Sequence, residues 1–223
     1  MWFDGRLISQ LTIDDIQRLV DENAEEDEGI EFKVEPYGGP TPSDDKKLEL
    51  CRDVAAFANA DGGYIIIGIR DENDRAAEIC PIREPKPHVE RLYKTCLDGI
   101  EPRIPGLDMQ PLGVSTDGSV IVIRVPTSSA QPHMVKVKHS THFCRRYKDG
   151  KREMSYSDIQ NSFTSDLTQH RLSEIMERLN SLATRIANEQ HQPISADSSI
   201  LLAQTAEEVQ QIMEARLRKE TDE

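Results

Sequence analysis

The chain has 223 residues and a formal charge of −13 at neutral pH. That length suits one well-buried domain with an appendage, and the acidic balance argues against diffuse, whole-surface binding of nucleic acid. No stretch approaches membrane-spanning length, and Asp4 close behind Trp2 and Phe3 leaves no room for a signal-peptide core, so the expected location is cytoplasmic, with no membrane partner.

Thr12 followed by Asp15 reads as a helix N-cap, and Ile13, Ile16, Leu19 and Val20 make one face of a helix reaching about residue 23. Ile30, Phe32 and Val34 then alternate with Glu31, Lys33 and Glu35, the period of a half-buried strand whose polar face carries Glu31 and Lys33. Pro36 to Ser43 is a loop. From Asp45 to Ala58 the spacing of Leu50, Val54, Phe57 and Ala58 predicts a second amphipathic helix, stopped by Asn59-Ala-Asp-Gly-Gly63. The aliphatic run Tyr64 to Ile69 predicts a strand covered on both faces, with Gly68 leaving a bare spot where a ligand or another backbone can approach.

Pro85 to Cys96 reads as a loop and helix, Ile100 to Pro105 is punctuated by proline, and Met109 to Val114 suits an edge strand. Ser119 to Val125 is a second core strand, Pro126 to Pro132 a turn, and Val135 to Tyr147 is strand-like. Lys148-Asp-Gly150 is a hairpin turn, and a helix starts near Ser157. Beyond it, Leu172, Ile175, Leu179, Leu182 and Ile186 step by three and four like the seam of a coiled coil or helical hairpin. Gln192-Pro193 interrupts the pattern, and Leu202, Ala206, Val209 and Met213 suggest a weaker second helix. The chain thus divides into a mixed α/β (α+β) domain over 1–164 and a helical tail over 165–223. That tail is expected to bury its seam in a homo-oligomer, against a partner protein, or by folding back.

Cys51, Cys80, Cys96 and Cys144 are widely spaced and read as free thiols, and His139 and His142 alone do not specify a metal site. Lys136, Lys138, Arg145, Arg146, Lys148, Lys151 and Arg152 stand against a single acid, Asp149, with Phe143 and Tyr147 interleaved. This strip is either a directed anion site or an ordinary solvated hairpin. Glu26 and Glu31, five apart across a helix-to-strand turn, can face one point, and Asp71 and Glu72 lie near the end of the neighbouring strand. Such carboxylates either converge on Mg²⁺ or Mn²⁺, as hydrolytic nucleases require, or are solvated charge. No phosphate-cradling glycine loop is present, which removes kinase and dehydrogenase chemistry, and no Ser–His–acid or Cys–His set can be nominated.

Glu26, Glu31-Phe32-Lys33, Ala56-Phe57-Ala58-Asn59, Asp61-Gly62-Gly63-Tyr64 and Ile67-Gly68-Ile69 together resemble the Schlafen AlbA-type domain family. Further matches are Ile104-Pro105, Val120 to Pro126, Pro132-His133, Phe143-Cys-Arg145, Gly150-Lys151 with Met154, and Asp158-Ile159, so the likeness spans about residues 8–163. The resemblance implies a Schlafen/AlbA-like core and nucleic-acid binding. Some members are metal-dependent endoribonucleases acting on structured RNA, while many bacterial ones are labelled DNA-binding or ATP-binding regulators. In the nuclease pattern two glutamates match Glu26 and Glu31, but the third acid's position falls at Arg70, with Asp71 next. By strand parity Asp71 points away from the open face unless the strand bulges near Arg70. The resemblance therefore implies Glu26, Glu31 and Asp71 as metal-binding and catalytic residues. Lys33 would neutralise phosphate, and Lys138, Arg145, Arg146 and Lys151 would hold the backbone of a nucleic acid, RNA before DNA. The alternatives are a non-catalytic DNA-, RNA- or ATP-binding regulator or assembly subunit, and a scaffold whose tail binds its partner.

Overall fold

The computed structural model describes residues 2–3, 5–115, 118–148, 150–188, 200, 203–205, 207–208 and 211. The chain separates into two units, Met1–Gln160 and Asn161–Glu223. After a 3-10 turn at Ile8–Gln10, the elements are α1 (Ile13–Asp21), β1 (Ile30–Lys33), α2 (Asp44–Ala58), β2 (Gly63–Ile67), β3 (Ile69–Asp71) and β4 (Ala76–Ile79). There follow α3 (Pro85–Gly99), β5 (Ile100–Glu101), β6 (Asp108–Ser115), β7 (Gly118–Val125), β8 (Met134–Val137), β9 (Ser140–Tyr147), β10 (Gly150–Glu153) and α4 (Tyr156–Asn188). Among the described residues no helix is long and apolar enough to cross a membrane.

The fold is mixed α+β. One sheet has the order β1-β2-β7-β6, with β1 and β2 parallel and the other neighbours antiparallel. A second, wholly antiparallel sheet has the order β10-β9-β8-β5, and β3 pairs with β4 alone. The alternation of β2 and β7 feeds two cores, one on each face of the first sheet. Ile65, Ile67, Ile121 and Ile123 pack with Leu50, Val54 and Phe57 of α2 and Leu92 of α3. Tyr64, Ile66, Val120 and Val122 pack with Ile16 and Leu19 of α1 and with Ile30 and Phe32. The expected cover on both faces is thus present, and β6 lies at a sheet edge as expected.

The N-cap of α1 forms as read: Thr12 Oγ1 accepts from Asp15 N, and Asp15 Oδ2 accepts from Thr12 N. The helix ends at Asp21, before residue 23, because Asn23 takes a left-handed conformation (φ 48°) and Ala24 N–H turns back to Leu19 O at 2.8 Å. The aliphatic run breaks at Gly68, which separates β2 from β3. A Cβ there would lie 3.1 Å from Cys80 O and 3.3 Å from Val120 Cγ1, so the bare spot is filled by neighbouring chain. The segment 135–147 is not one strand but the hairpin β8–β9, reversing at Lys138 with φ 54°.

In the second unit, α4 carries three of the five predicted seam positions with described side chains. Ile175 and Leu182 are buried within the single chain and Leu179 is half-buried, whereas Met176 is 55% exposed. The side chains of Leu172 and Ile186, and the weaker helix placed on Leu202, Ala206, Val209 and Met213, lie outside the described residues.

Candidate functional site

Glu31 sits in β1 with only 8% of its surface exposed, so on the polar face read for this strand Glu31 is buried and only Lys33 is partly open to solvent. Burial of a carboxylate requires compensation. Lys33 Nζ pairs with Oε1 and Arg146 Nη1 with Oε2, giving each oxygen its own cation. Arg146 comes from β9; its Nε donates to Asp27 O at 3.1 Å, its Nη2 donates to Ile30 O at 3.2 Å, and its guanidinium lies 4.9 Å from the Phe57 ring centroid. Burial alone would raise the Glu31 carboxyl, but Arg146 and then Lys33 outweigh it and hold it below the ordinary carboxylate range. For Lys33, burial is outweighed by Glu31, which raises its ammonium.

Glu26 shares this environment and, among the described residues, forms no ion pair. Its Oε1 accepts from Phe32 N at 2.6 Å. Burial first, and the charge of Glu31 second, push its carboxyl up to about 7. At neutral pH this group exchanges a proton, a property suited to acid–base work or to a carboxyl waiting for a cation.

A second buried carboxylate completes the cluster. Asp53 of α2 accepts from Tyr37 Oη at 2.7 Å and pairs with Lys151 of β10. Burial and Asp53 together push the Tyr37 hydroxyl well above its ordinary range, so it remains a proton donor. Asp53 also supports the raised Lys33. Neither Asp53 nor Tyr37 was singled out from the sequence, although Asp53 stands in the apolar stripe of Leu50, Val54 and Phe57, where a charge signals a buried partner.

Asp71 lies at the end of β3. The pairing register shifts between Arg70 and Asp71, the irregularity that turning Asp71 would require. Arg70 does not enter the glutamate pair; it bonds Glu78 at 2.6 Å, and its Nη2 lies 3.7 Å from Cys80 Sγ. Among the described residues no group of three or more His, Cys, Asp or Glu side chains is gathered so as to hold a metal. Glu26 and Glu31 come together, then, but two carboxylates, one of them already balanced by two cations, do not complete a Mg²⁺ or Mn²⁺ centre as arranged.

The basic strip divides between the faces of the second sheet. Residues directly opposite in antiparallel strands share a face, and Arg146 faces Lys151 while Arg145 faces Arg152. Arg146 and Lys151 therefore point inward, to Glu31 and Asp53. Phe143, Arg145 and Tyr147 alternate onto the outward face, joined across β8 by Met134 and Lys136. Tyr147 Oη donates to Asp158 Oδ2 at 3.3 Å. Lys138 sits in the hairpin turn and bonds Asp44 at 2.6 Å, and Lys148 is exposed. Of the five predicted phosphate contacts, three are interior ion pairs, one is paired at the surface, and Arg145 stands on the outward face.

The Ala-Phe-Ala-Asn and Gly-Gly residues hold this arrangement together. Asn59 Oδ1 accepts from His133 N at 2.6 Å, and its Nδ2 donates at 2.9 Å to both His133 O and Cys144 O, tying α2 to β9 and to the segment before β8. A Cβ on Gly63 would lie 2.6 Å from Gly29 O and from Phe57 Cδ1, so only glycine lets β2 start beneath the aromatic ring on which Arg146 rests. A Ser–His pair does occur: His133 Nε2 lies 2.7 Å from Ser128 Oγ and its Nδ1 2.8 Å from Pro102 O. Burial lowers His133, and with a carbonyl in place of an acid and both side chains buried, the pair fastens the 126–133 segment.

A solved structure, that of the DIP2311 protein from Corynebacterium diphtheriae, is similar at 20% sequence identity with a TM-score of 0.44. The match covers 66% of this chain and 27% of that one, so the chain spans about a quarter of its length. No curated protein matches the chain. A family model described as Schlafen, AlbA_2 matches residues 26–155. Those residues hold the whole charge cluster from Glu26 to Lys151 together with Asn59 and Gly63, and they make up more than half of the sequence; the chain belongs to the Schlafen AlbA_2 family.

Proposed function

We propose that the protein binds nucleic acid, RNA in preference to DNA, on the outward face of β8–β10. The observation that carries this reading is the segregation of charge across that sheet. In a chain of net charge −13, the inward cations are consumed by Glu31 and Asp53, while Lys136, Arg145 and Lys148 are placed outward or on the adjoining turn beside Phe143 and Tyr147. Cations hold phosphates and aromatic rings stack bases, a combination suited to unpaired segments of a structured RNA. The preference for RNA rests on the likeness to Schlafen members that act on RNA. Anisotropy with labelled hairpin RNA, single-stranded RNA and single-stranded DNA, from about 50 to 200 mM salt, tests it. Arg145→Ala should weaken binding and reduce the salt slope by about 1. Equal binding and slope in Arg145→Ala and Lys148→Ala would move the interface elsewhere.

A second reading, a Mg²⁺- or Mn²⁺-dependent endoribonuclease using Glu26, Glu31 and Asp71, is favoured by the Glu26–Glu31 repulsion, which a divalent cation would relieve. It requires a further ligand and a rearrangement of the cations on Glu31. Cleavage of structured RNA with Mn²⁺ that disappears in Glu26→Gln would establish it; binding without cleavage under either metal leaves the protein a non-catalytic regulator or assembly subunit.

A further inference from the structure

A cavity of about 830 Å³ opens between the loop after β1 and the start of α3, lined by Pro40, Arg83, Glu84, Pro87, His88 and Arg91. Several surface cations are matched to carboxylates: Arg6 with Asp15, Lys47 with Asp44, Arg75 with Glu25. Among the described residues, Arg83 and His88 have no hydrogen-bonding or ion-pair partner, and Glu84, though beside them, pairs with neither Arg83 nor Arg91.

Arg91 is the more informative group. Its Nη2 donates to Pro36 O at 2.5 Å and to Gly38 O at 3.1 Å, clamping the loop, while its Nε is buried with no partner. Burial lowers its pKa, with no acid to offset the effect. An arginine partly removed from water and left without a counter-ion is costly, and the cost is recovered when an anion enters. Burial first and Arg91 second lower His88, so its ring is held toward the neutral form, able to hydrogen-bond without adding charge. The backbone of α3 supplies little, because Pro85 and Pro87 carry no N–H at the helix start, so recognition rests on the side chains. Glu84 holds a left-handed conformation (φ 46°, ψ 58°) at the rim, which costs energy for a residue with a Cβ. A second depression of about 530 Å³ shares Glu84 and Pro87 and is lined further by Pro85, Lys86, Pro111 and Ser119.

We propose that this cavity binds a phosphate-bearing anion, with Arg83 and Arg91 neutralising the phosphate, His88 hydrogen-bonding it, and Pro40 and Pro87 lying against its carbon framework. Two guanidinium groups and an imidazole in one cavity would recognise the phosphate group itself, whether it belongs to a free organic phosphate or to a nucleic-acid backbone.

Calorimetric titration of the full chain with inorganic phosphate, with glycerol 3-phosphate and with an oligonucleotide lacking terminal phosphates tests the proposal and separates the sources. Binding of the two small phosphates, weakened about tenfold or more in both Arg83→Ala and His88→Ala, supports a small-molecule site. Oligonucleotide binding weakened by the same two substitutions, with Arg145→Ala leaving that loss intact, supports a backbone site separate from the β8–β10 face. Both variants remove side chains that hold no other described element, so their melting temperatures should match the parent; Arg91→Lys, which retains charge, adds a third measure. No binding of any of the three probes, or equal binding by parent and both alanine variants, overturns the proposal.

Discussion

Arg146 of β9 closes on Glu31 of β1, so that one buried carboxylate joins the two sheets of the domain. The pair is buried on both sides, and the arginine is fixed further by the Asp27 and Ile30 carbonyls and the Phe57 ring. The same carboxylate is the residue that a nuclease reading would treat as a metal ligand. Its structural and chemical roles have to be separated before a loss of activity at Glu31 can be interpreted.

Breaking one partner of a buried pair strands the other charge and costs about 3–5 kcal/mol. Denaturant unfolding should show losses of that size for Arg146→Met and for Glu31→Leu separately. The double variant should recover part of the loss, because it removes the Glu31 and Arg146 charges together and leaves only the half-buried Lys33 without its partner. Strict additivity of the two single losses would mean that the pair is not coupled and that its closure contributes no stability.

Glu26 predicts a pH dependence of opposite sign to that of an ion-paired carboxylate such as Glu31. Its folded-state value, about 7, lies above the ordinary 4.5, so between these values the folded chain holds more protons than the unfolded one. This contribution to stability is full below about pH 4.5 and is lost as the pH rises through about 7. Glu31 is shifted downward, so its contribution is present at higher pH and is lost only as the pH falls below 4.5, outside that window. Melting temperatures measured from pH 5 to 8 should therefore fall in the parent and flatten in Glu26→Gln, whose amide oxygen can still accept from Phe32 N. An identical slope in the two proteins would place the titration elsewhere.

Asn59 provides a third test. Its side chain satisfies three buried backbone groups, His133 N–H, His133 C=O and Cys144 C=O. Asn59→Ala leaves them unpaired at about 1–3 kcal/mol each, and Asn59→Asp restores only the acceptor for His133 N–H. Hydrogen exchange should quicken first in β8 and β9, the elements that Asn59 ties to α2. Unchanged protection there with a lowered global stability would show that the residue supports α2 alone.

The Asn59 result bears on what was legible in the sequence. The phrase from Ala56 to Gly63 identified the family, but its residues act as architecture: Asn59 bonds backbone, and Gly63 makes room for Gly29 O and the Phe57 ring. Strong periodicities in α2, β2 and β7 were readable because each is set by local burial. The hairpin at Lys138 was not, since a left-handed lysine carries no glycine or proline to mark the reversal. Nor could the sequence divide the basic strip, because Arg146 meets Glu31 115 positions away and Lys151 meets Asp53 98 positions away. Only the β9–β10 register decides that Arg145 and Arg146, adjacent in sequence, serve opposite faces.

Self-association through residues 165–223 is a further expectation, and it centres on Met176. Ile175 and Leu182, two positions of the predicted seam, are already covered within a single chain, so the seam itself does not demand a partner. Met176 is 55% exposed on α4, and an unbranched, polarisable side chain in that setting suits an adaptable contact. Light scattering of the full chain should show an oligomer that Met176→Glu converts to the monomer mass of 25.2 kDa without lowering helix content. An oligomer unchanged by Met176→Glu would move the contact off this face of α4, and a monomeric parent at tens of micromolar would leave the tail without a self-association role.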